Sequence, residues 1–395
     1  MFDFDEFVDR TGTGSTKWAT RAPAVKQAGM VPLSVADMEF RCPVPVREAI
    51  RRAADHGVYG YTYADDAYHD ALAGFMKRRH GCDIEKDWVL VVNGVVSALG
   101  VAVRALSEPG DAVIIQPPVY APFLDAIEAN GRQPVFNRLL LTDGGCEINF
   151  PEFEHLCTDK KVKLFILCSP HNPVGRVWTR RELERLADIC AEHGVVILSD
   201  EIHADIILPG HRHTSILAIP QASFNSAVLM AMSKSFNLAG LACSEAIVPN
   251  AELRGKIARQ QAMDHAFGMT YFARAASIAA HTECDGWLDA LNAYIAENFA
   301  FMRGFLGERL PMFRLSKLEG TYLAWMDMRS LNMEDGALKA FLANEAKLAL
   351  TMGDWFGQGG SGFTRWNIAL PRPLLADALE RLAAAVDGLG ERNVP

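Results

Sequence analysis

What this 395-residue sequence lacks narrows its class before any motif is read. No window reaches about 18 uncharged apolar residues, so no membrane-spanning helix is expected. The opening MFDFDEFVDR places acids where a secretion signal needs a basic segment and then an apolar one. No run of five or six basic residues interrupts a chain of net charge −9, which leaves no electrostatic footprint for nucleic acid or an anionic membrane. The chain therefore reads as cytoplasmic, with nucleic acid not expected as a partner. Its eight cysteines are scattered singly without a CxxC pair, so neither a zinc site nor a redox dithiol is indicated, and reduced thiols are expected. There is no internal repeat, low-complexity tract or flexible Gly/Ser linker.

What is present is a globular composition, half apolar, with a strong α/β pattern. Between about residues 88 and 250, short apolar runs alternate with helical stretches: WVLVV, AVIIQ, LFILC, VVILS, VLMAM and EAIV. Strands that read as continuous apolar runs belong to a largely parallel sheet covered on both faces. The clearest helix is TRRELERLADICAEHG. Thr179 and Glu182 have capping-box spacing, Leu183, Leu186, Ala187 and Cys190 form one stripe, and Gly194 stands where the helix should end. After about residue 250 the pattern turns to long helices, one near 287–310, with strands expected in TYLAWMDM and FTRWNIAL. This shift predicts a large domain over 46–280 and a smaller α+β domain over 281–395. The N-terminal segment 1–45 is expected to contribute to the small domain and to the entrance of the active site.

In an open parallel sheet, ligands bind in the crevice beyond the carboxyl ends of the strands. Five successive strands here end in polar or glycine-containing segments: Asn93-Gly94-Val95-Val96-Ser97, PPVY with Tyr120, SPHNPVG with Asn172, DEIH with Asp200 and His203, and Ser233-Lys234-Ser235. Taken singly, Asn93-Gly94 reads as an ordinary strand-to-helix turn, Asn172-Pro173 as a turn start and Asp200 as a helix cap or solvated carboxylate. Lys234 differs, because the apolar strand before it and Leu238-Ala239-Gly240-Leu241 after it imply burial. Burial lowers a lysine pKa from about 10.4 and exposes the neutral amine that Schiff-base formation requires. An aspartate aimed at a pyridine nitrogen would make that ring an electron sink, and amides at a helix start would hold a phosphate. Together these outline a pyridoxal phosphate site.

The motifs also carry a family resemblance from end to end. YGYT (59–62), PPVY (117–120), SPHNPVG (169–175), SDEIH (199–203), SKSFNLAGL (233–241) and GFTRWNIALP (362–371) resemble those of class I/II aminotransferases, enzymes of pyridoxal-phosphate fold type I. RTGTGSTKW (10–18), VADMEF (35–40), HGVYGY (56–61), HNPVGRVW (171–178), PGHRHTSI (209–216) and EGTYLAWMD (319–327) resemble the PatB/MalY-like cystathionine β-lyase, or C-S lyase, branch. The resemblance implies a large domain with a mostly parallel seven-stranded sheet, pyridoxal 5′-phosphate as cofactor, no metal, and a homodimer with active sites at its interface.

By the same resemblance, Lys234 bonds the cofactor aldehyde and moves protons, Asp200 pairs with the ring nitrogen, and Tyr120 stacks on the ring face. Asn172 and His203 lie near the ring hydroxyl. The Gly94-Val95-Val96 backbone and Ser233 hold the phosphate, with Tyr61 reaching in from the other subunit. Arg365 grips the substrate α-carboxylate, and Asp37, Met38, Tyr61, Tyr63 and the region of Trp355 supply pocket walls. His203 stands where many aminotransferases have tyrosine and is usual for the lyase branch. Ala231 replaces a frequent serine or threonine and removes one phosphate donor. The implied activity is β-elimination on L-cystathionine or a related L-cysteine S-conjugate, within amino-acid metabolism and methionine biosynthesis. The alternative is transamination with the same cofactor, which no single residue of the sequence excludes.

Overall fold

The computed structural model describes residues 2–20, 29–142, 145–266 and 268–392. In chain order its strands are β1 (Val31–Pro32), β2 (Val89–Val92), β3 (Ala112–Ile115), β4 (Gln133–Phe136), β5 (Leu140–Thr142) and β6 (Gly145–Glu147). There follow β7 (Val162–Cys168), β8 (Val196–Asp200), β9 (Ser226–Met230), β10 (Ser244–Ile247) and β11 (Arg314–Leu315). The last four are β12 (Leu323–Asp327), β13 (Leu348–Ala349), β14 (Thr351–Met352) and β15 (Phe363–Asn367).

Seven strands form the main sheet in the order β2-β10-β9-β8-β7-β3-β4, and only β10 runs against its neighbours. The expected mostly parallel seven-stranded sheet is thus present. Both of its faces are buried, which explains the unbroken apolar runs. In β7, Leu164, Ile166 and Cys168 join the core on one face with the helix Val95–Leu106. Phe165 and Leu167 join the core on the other face, where Leu183, Leu186, Ala187 and Cys190 of the helix Arg180–His193 pack. That helix starts with the Thr179/Glu182 capping box and ends at Gly194 in the left-handed region, as the spacing predicts. Its cap contributes about 1 kcal/mol, and each buried leucine about 1.5–3 kcal/mol.

The seventh strand, β4, has no signature among the apolar runs. Among the described residues it pairs only with β3, its Gln133 is exposed, and it contains Pro134, which an edge strand tolerates because the missing N–H breaks no ladder.

The second sheet is antiparallel, in the order β11-β12-β15-β14, and is backed by the helices Asp285–Arg309 and Arg372–Arg392, which pack on each other. The segment after β1 crosses between the sheets. β1 pairs with β13, Asn367 donates to the Val35 carbonyl (2.7 Å), and Met38 donates to Asn237 Oδ1 beside the main sheet (3.0 Å). Among the described residues no helix is long and apolar enough to cross a membrane.

Candidate active site

A cavity of about 390 Å3 opens where the carboxyl ends of the main-sheet strands face the second sheet, within the size range of small-molecule sites. Each strand delivers one feature to it. β9 leads into the helical turn Met232–Ser235, which carries Lys234. The lysine amine donates to the Ala36 carbonyl (2.7 Å), which also accepts from the Tyr322 hydroxyl (2.9 Å). β8 ends at Asp200, whose Oδ1 accepts the Ile202 N–H (3.0 Å). Beyond it, buried His203 lies edge-on to Tyr322 at 5.8 Å, and its Nδ1 has no hydrogen-bond partner among the described residues. β7 leads to buried Asn172, and the loop after β3 to Tyr120, whose ring meets Trp355 at 5.7 Å.

β2 leads through Gly94 into the helix Val95–Leu106. Gly94 has φ 110°, which L-residues rarely adopt, while a Cβ there would meet nothing within 4 Å. A Gly94→Ala substitution should therefore cost only backbone strain, about 1–3 kcal/mol, read as a lower urea midpoint with an unchanged m-value. The Gly94 N–H is already bonded, to Val92 O (3.0 Å) and Ser244 Oγ (3.1 Å). The amides of Val95 and Val96, first in the helix, have no carbonyl one turn below to bond within it. Both residues line the cavity, as does Ser233. Of the expected Gly94-Val95-Val96 backbone, the Gly94 N–H is thus engaged within the protein.

Arg365 comes from β15, across the ladder from Thr351. Nη1 donates to Asn172 Oδ1 (3.0 Å), and Nη2 to Ser34 O (2.7 Å) and Thr351 Oγ1 (3.3 Å). The guanidinium also lies 5.0 Å over the Phe356 ring. It is buried, with its fork held from three elements.

Burial dominates the electrostatics here. It lowers the Lys234 pKa to about 8, with the Arg365 charge as the second cause, while Asp37 and Asp200 pull less strongly the other way. At pH 7 such a lysine holds about 300 times more neutral amine than one at the ordinary value. Burial raises Asp200 to about 7 against the Ile202 hydrogen bond and the Lys234 charge. His203 is held neutral by burial, with Lys234 and Arg365 as further causes. A cationic ring nitrogen would add a counter-charge that favours the ionised Asp200 carboxylate.

The cavity wall brings together Lys234, Asp200, Asn172, His203, Tyr120, Val95, Val96, Ser233, Trp355 and Arg365. Asp37 and Met38 do not line it. The Asp37 carboxylate is paired with Arg10 (2.7 Å) and near Lys17 (3.7 Å), and Met38 is buried; Ser34, Val35 and Ala36 form that wall instead. Tyr61 and Tyr63 are strongly exposed, with Val58 and Tyr59 beside them. Sequence reasoning passed over Thr351 and Cys168, since neither stands in a chemically loaded motif.

The family model for aminotransferase class I and II matches residues 28–382. Cystathionine beta-lyase PatB of Bacillus subtilis is 39% identical over 385 residues, which cover 97% of this chain and all of that one. Protein MalY of Escherichia coli is 33% identical, with 98% of this chain and 99% of that one covered. Among solved structures, cystalysin from Treponema denticola, which contains a pyridoxal 5′-phosphate cofactor, superposes with a TM-score of 0.95 at 36% identity, covering 98% of this chain and 100% of that one.

Proposed function

The chain belongs to the class I and II aminotransferase family, and from that premise we propose that it is a pyridoxal 5′-phosphate-dependent carbon–sulfur β-lyase. It cleaves L-cystathionine or a related L-cysteine S-conjugate to a thiol, pyruvate and ammonia. The observation that carries this reading is the convergence of Lys234, Asp200, Asn172 and Arg365 on one cavity, in a chain alike over its whole length to a cystathionine β-lyase.

The residues fit the cofactor: amides at a helix start for a phosphate, a buried carboxyl of raised pKa, a His203 Nδ1 with no hydrogen-bond partner among the described residues and an amine of lowered pKa face the same space. Bound there, pyridoxal phosphate supplies an aldehyde for amine exchange and a protonated ring that accepts electron density from Cα. Val95, Val96 and Ser233 hold its phosphate. Asp200 would pair with the ring nitrogen, Asn172 and His203 would hold the ring hydroxyl, and Tyr120 would pack on the ring. Asn172 gives its carbonyl oxygen to Arg365 and so has its amide nitrogen left to donate. Lys234 Nζ, half-neutral near pH 8, takes the proton from substrate Cα. Arg365 grips the α-carboxylate with a fork already oriented. Asp37 acts at one remove, holding through Arg10 and Lys17 the segment whose Ala36 carbonyl orients the lysine amine.

An ammonium cannot reproduce the separate Nη1 and Nη2 contacts. Arg365→Lys should therefore raise KM for the amino-acid substrate by at least about tenfold with a smaller change in kcat. The exposed Val58, Tyr59, Tyr61 and Tyr63 support a homodimer in which the partner subunit's Tyr61 completes the phosphate end. Sedimentation equilibrium should give twice the 43.4 kDa chain mass. A cytoplasmic place in methionine biosynthesis follows from the same reading.

The deciding experiment is pyruvate release from L-cystathionine with added cofactor and no 2-oxo acid. Steady multiple turnover supports the lyase. A cofactor absorption band without pyruvate, and turnover only when a 2-oxo acid is supplied, overturns it for the aminotransferase.

A further inference from the structure

Beneath the lysine turn, away from the cavity, lies a buried polar chain that none of the roles above uses. Ser235, next to Lys234, donates its hydroxyl to Asp205 Oδ2 (2.5 Å). Asp205 Oδ1 meets His80 Nε2 (2.8 Å), and the Asp205 backbone carbonyl accepts Asn292 Nδ2 (2.8 Å). Ser235 is 0%, Asp205 5% and His80 9% exposed, and none of them lines the cavity.

We propose that Ser235, Asp205 and His80 are positioning residues that hold the Lys234 amine in register with Asp200 and His203. Asp205 belongs to the loop that follows Asp200 at the end of β8 and carries His203, so its carboxylate ties the lysine-bearing turn to that strand end and its loop. The inference rests on Lys234 being the amine that bonds the cofactor.

Two arguments support the assignment. A buried polar pair such as His80–Asp205 adds little net stability over an apolar replacement of the same shape, so its placement directly behind Lys234 points to geometry rather than to stability. Asp205 is also held charged. Burial alone would raise its pKa, but the bonds from His80 and Ser235 bring it below the ordinary value; burial likewise opposes protonation of His80, and Asp205 prevails. Around the pair stand Glu201, itself bound to His213 (3.1 Å), with His213 5.7 Å from His80 between ring centres, and Arg79 and buried His281. The second argument is distance. A displacement of about 1 Å at a reacting group can cost on the order of 100-fold in rate, and among the described residues the Lys234 amine itself is hydrogen-bonded to the Ala36 carbonyl alone, which leaves its placement to the turn that Ser235 ties down.

The test compares Ser235→Ala and Asp205→Asn holoenzymes with the parent. It titrates the absorbance of bound pyridoxal phosphate against pH, measures the cofactor dissociation constant, and separates kcat from KM on L-cystathionine. The expected result is an absorbance pKa moved by about half a unit or more, weaker cofactor retention, and kcat down about tenfold with KM within about twofold. His80→Gln keeps a donor toward Oδ1 and should shift the absorbance less than Asp205→Asn. Ser235→Ala removes one hydroxyl and reads the same link if Asp205→Asn fails to fold. Folded Ser235→Ala protein with the parent's absorbance pKa and kcat overturns the assignment. Should the parent bind cofactor yet release no pyruvate, the lyase reading fails while the absorbance titration still decides on these three residues.

Discussion

Lys234→Ala should lower pyruvate release from L-cystathionine by at least about 1000-fold, a loss larger than general-base catalysis alone commonly supplies at its low end. Two functions leave with one side chain: the amine that anchors the cofactor aldehyde and the base that takes the Cα proton. The surroundings explain why no neighbour replaces it. His203 is a weak base because burial, with the Arg365 charge, holds its pKa below the ordinary value, Tyr322 is pushed well above its ordinary pKa by burial and spends its hydroxyl on Ala36, and Asp200 lies at the ring-nitrogen side in the proposed arrangement. Turnover within tenfold of the parent in a folded Lys234→Ala protein would sink the mechanism. Removing Lys234 also removes a positive charge from beside Asp200, so the Asp200 pKa in that variant should rise further.

Asp200→Asn should cut activity by at least about 100-fold, on the scale of losing one preorganised electrostatic partner in a buried site, and yet stabilise the cofactor-free protein. The sign follows from burial. The folded carboxyl titrates near 7 against 3.8 ordinarily, so below about pH 4 it is protonated in both states and costs nothing. Between about pH 4 and pH 7 the unfolded chain loses its proton while the folded chain keeps it, and stability falls as pH rises. Above about pH 7 the accumulated loss reaches about 4 kcal/mol. The asparagine variant lacks this titration, so its advantage over the parent in cofactor-free urea unfolding should grow from pH 4 to pH 8. A constant difference across that range would show that Asp200 is already ionised in the folded protein. A site that loses stability to hold a buried carboxyl ready for a cation conforms to the general trade between activity and stability.

The elements legible in the sequence were those whose cause is local. Continuous apolar runs marked six strands of the main sheet because both faces of that sheet are covered, and the Thr179/Glu182 spacing with Gly194 marked both ends of one helix. Polar groups just past those strands could be expected to gather, since parallel strands end on the same side of their sheet. The edge strand with Pro134 was not legible, because an exposed edge carries neither a full apolar run nor an uninterrupted ladder.

The order of residue types along the chain thus determined the α/β class, the candidate lysine and aspartate, and the fork of Arg365, each through a burial pattern or a motif set within a few neighbours. Only the tertiary structure decided that the Gly94 amide is already bonded, that Asp37 faces Arg10 while Ser34–Ala36 line the cavity, and that Ser235 reaches Asp205 and Asp205 reaches His80. Those pairings join residues 27 to 150 positions apart, and no local periodicity encodes them. They arise when the packing of two sheets and the segment between them brings distant backbone and side-chain groups into spaces where each buried donor must find an acceptor.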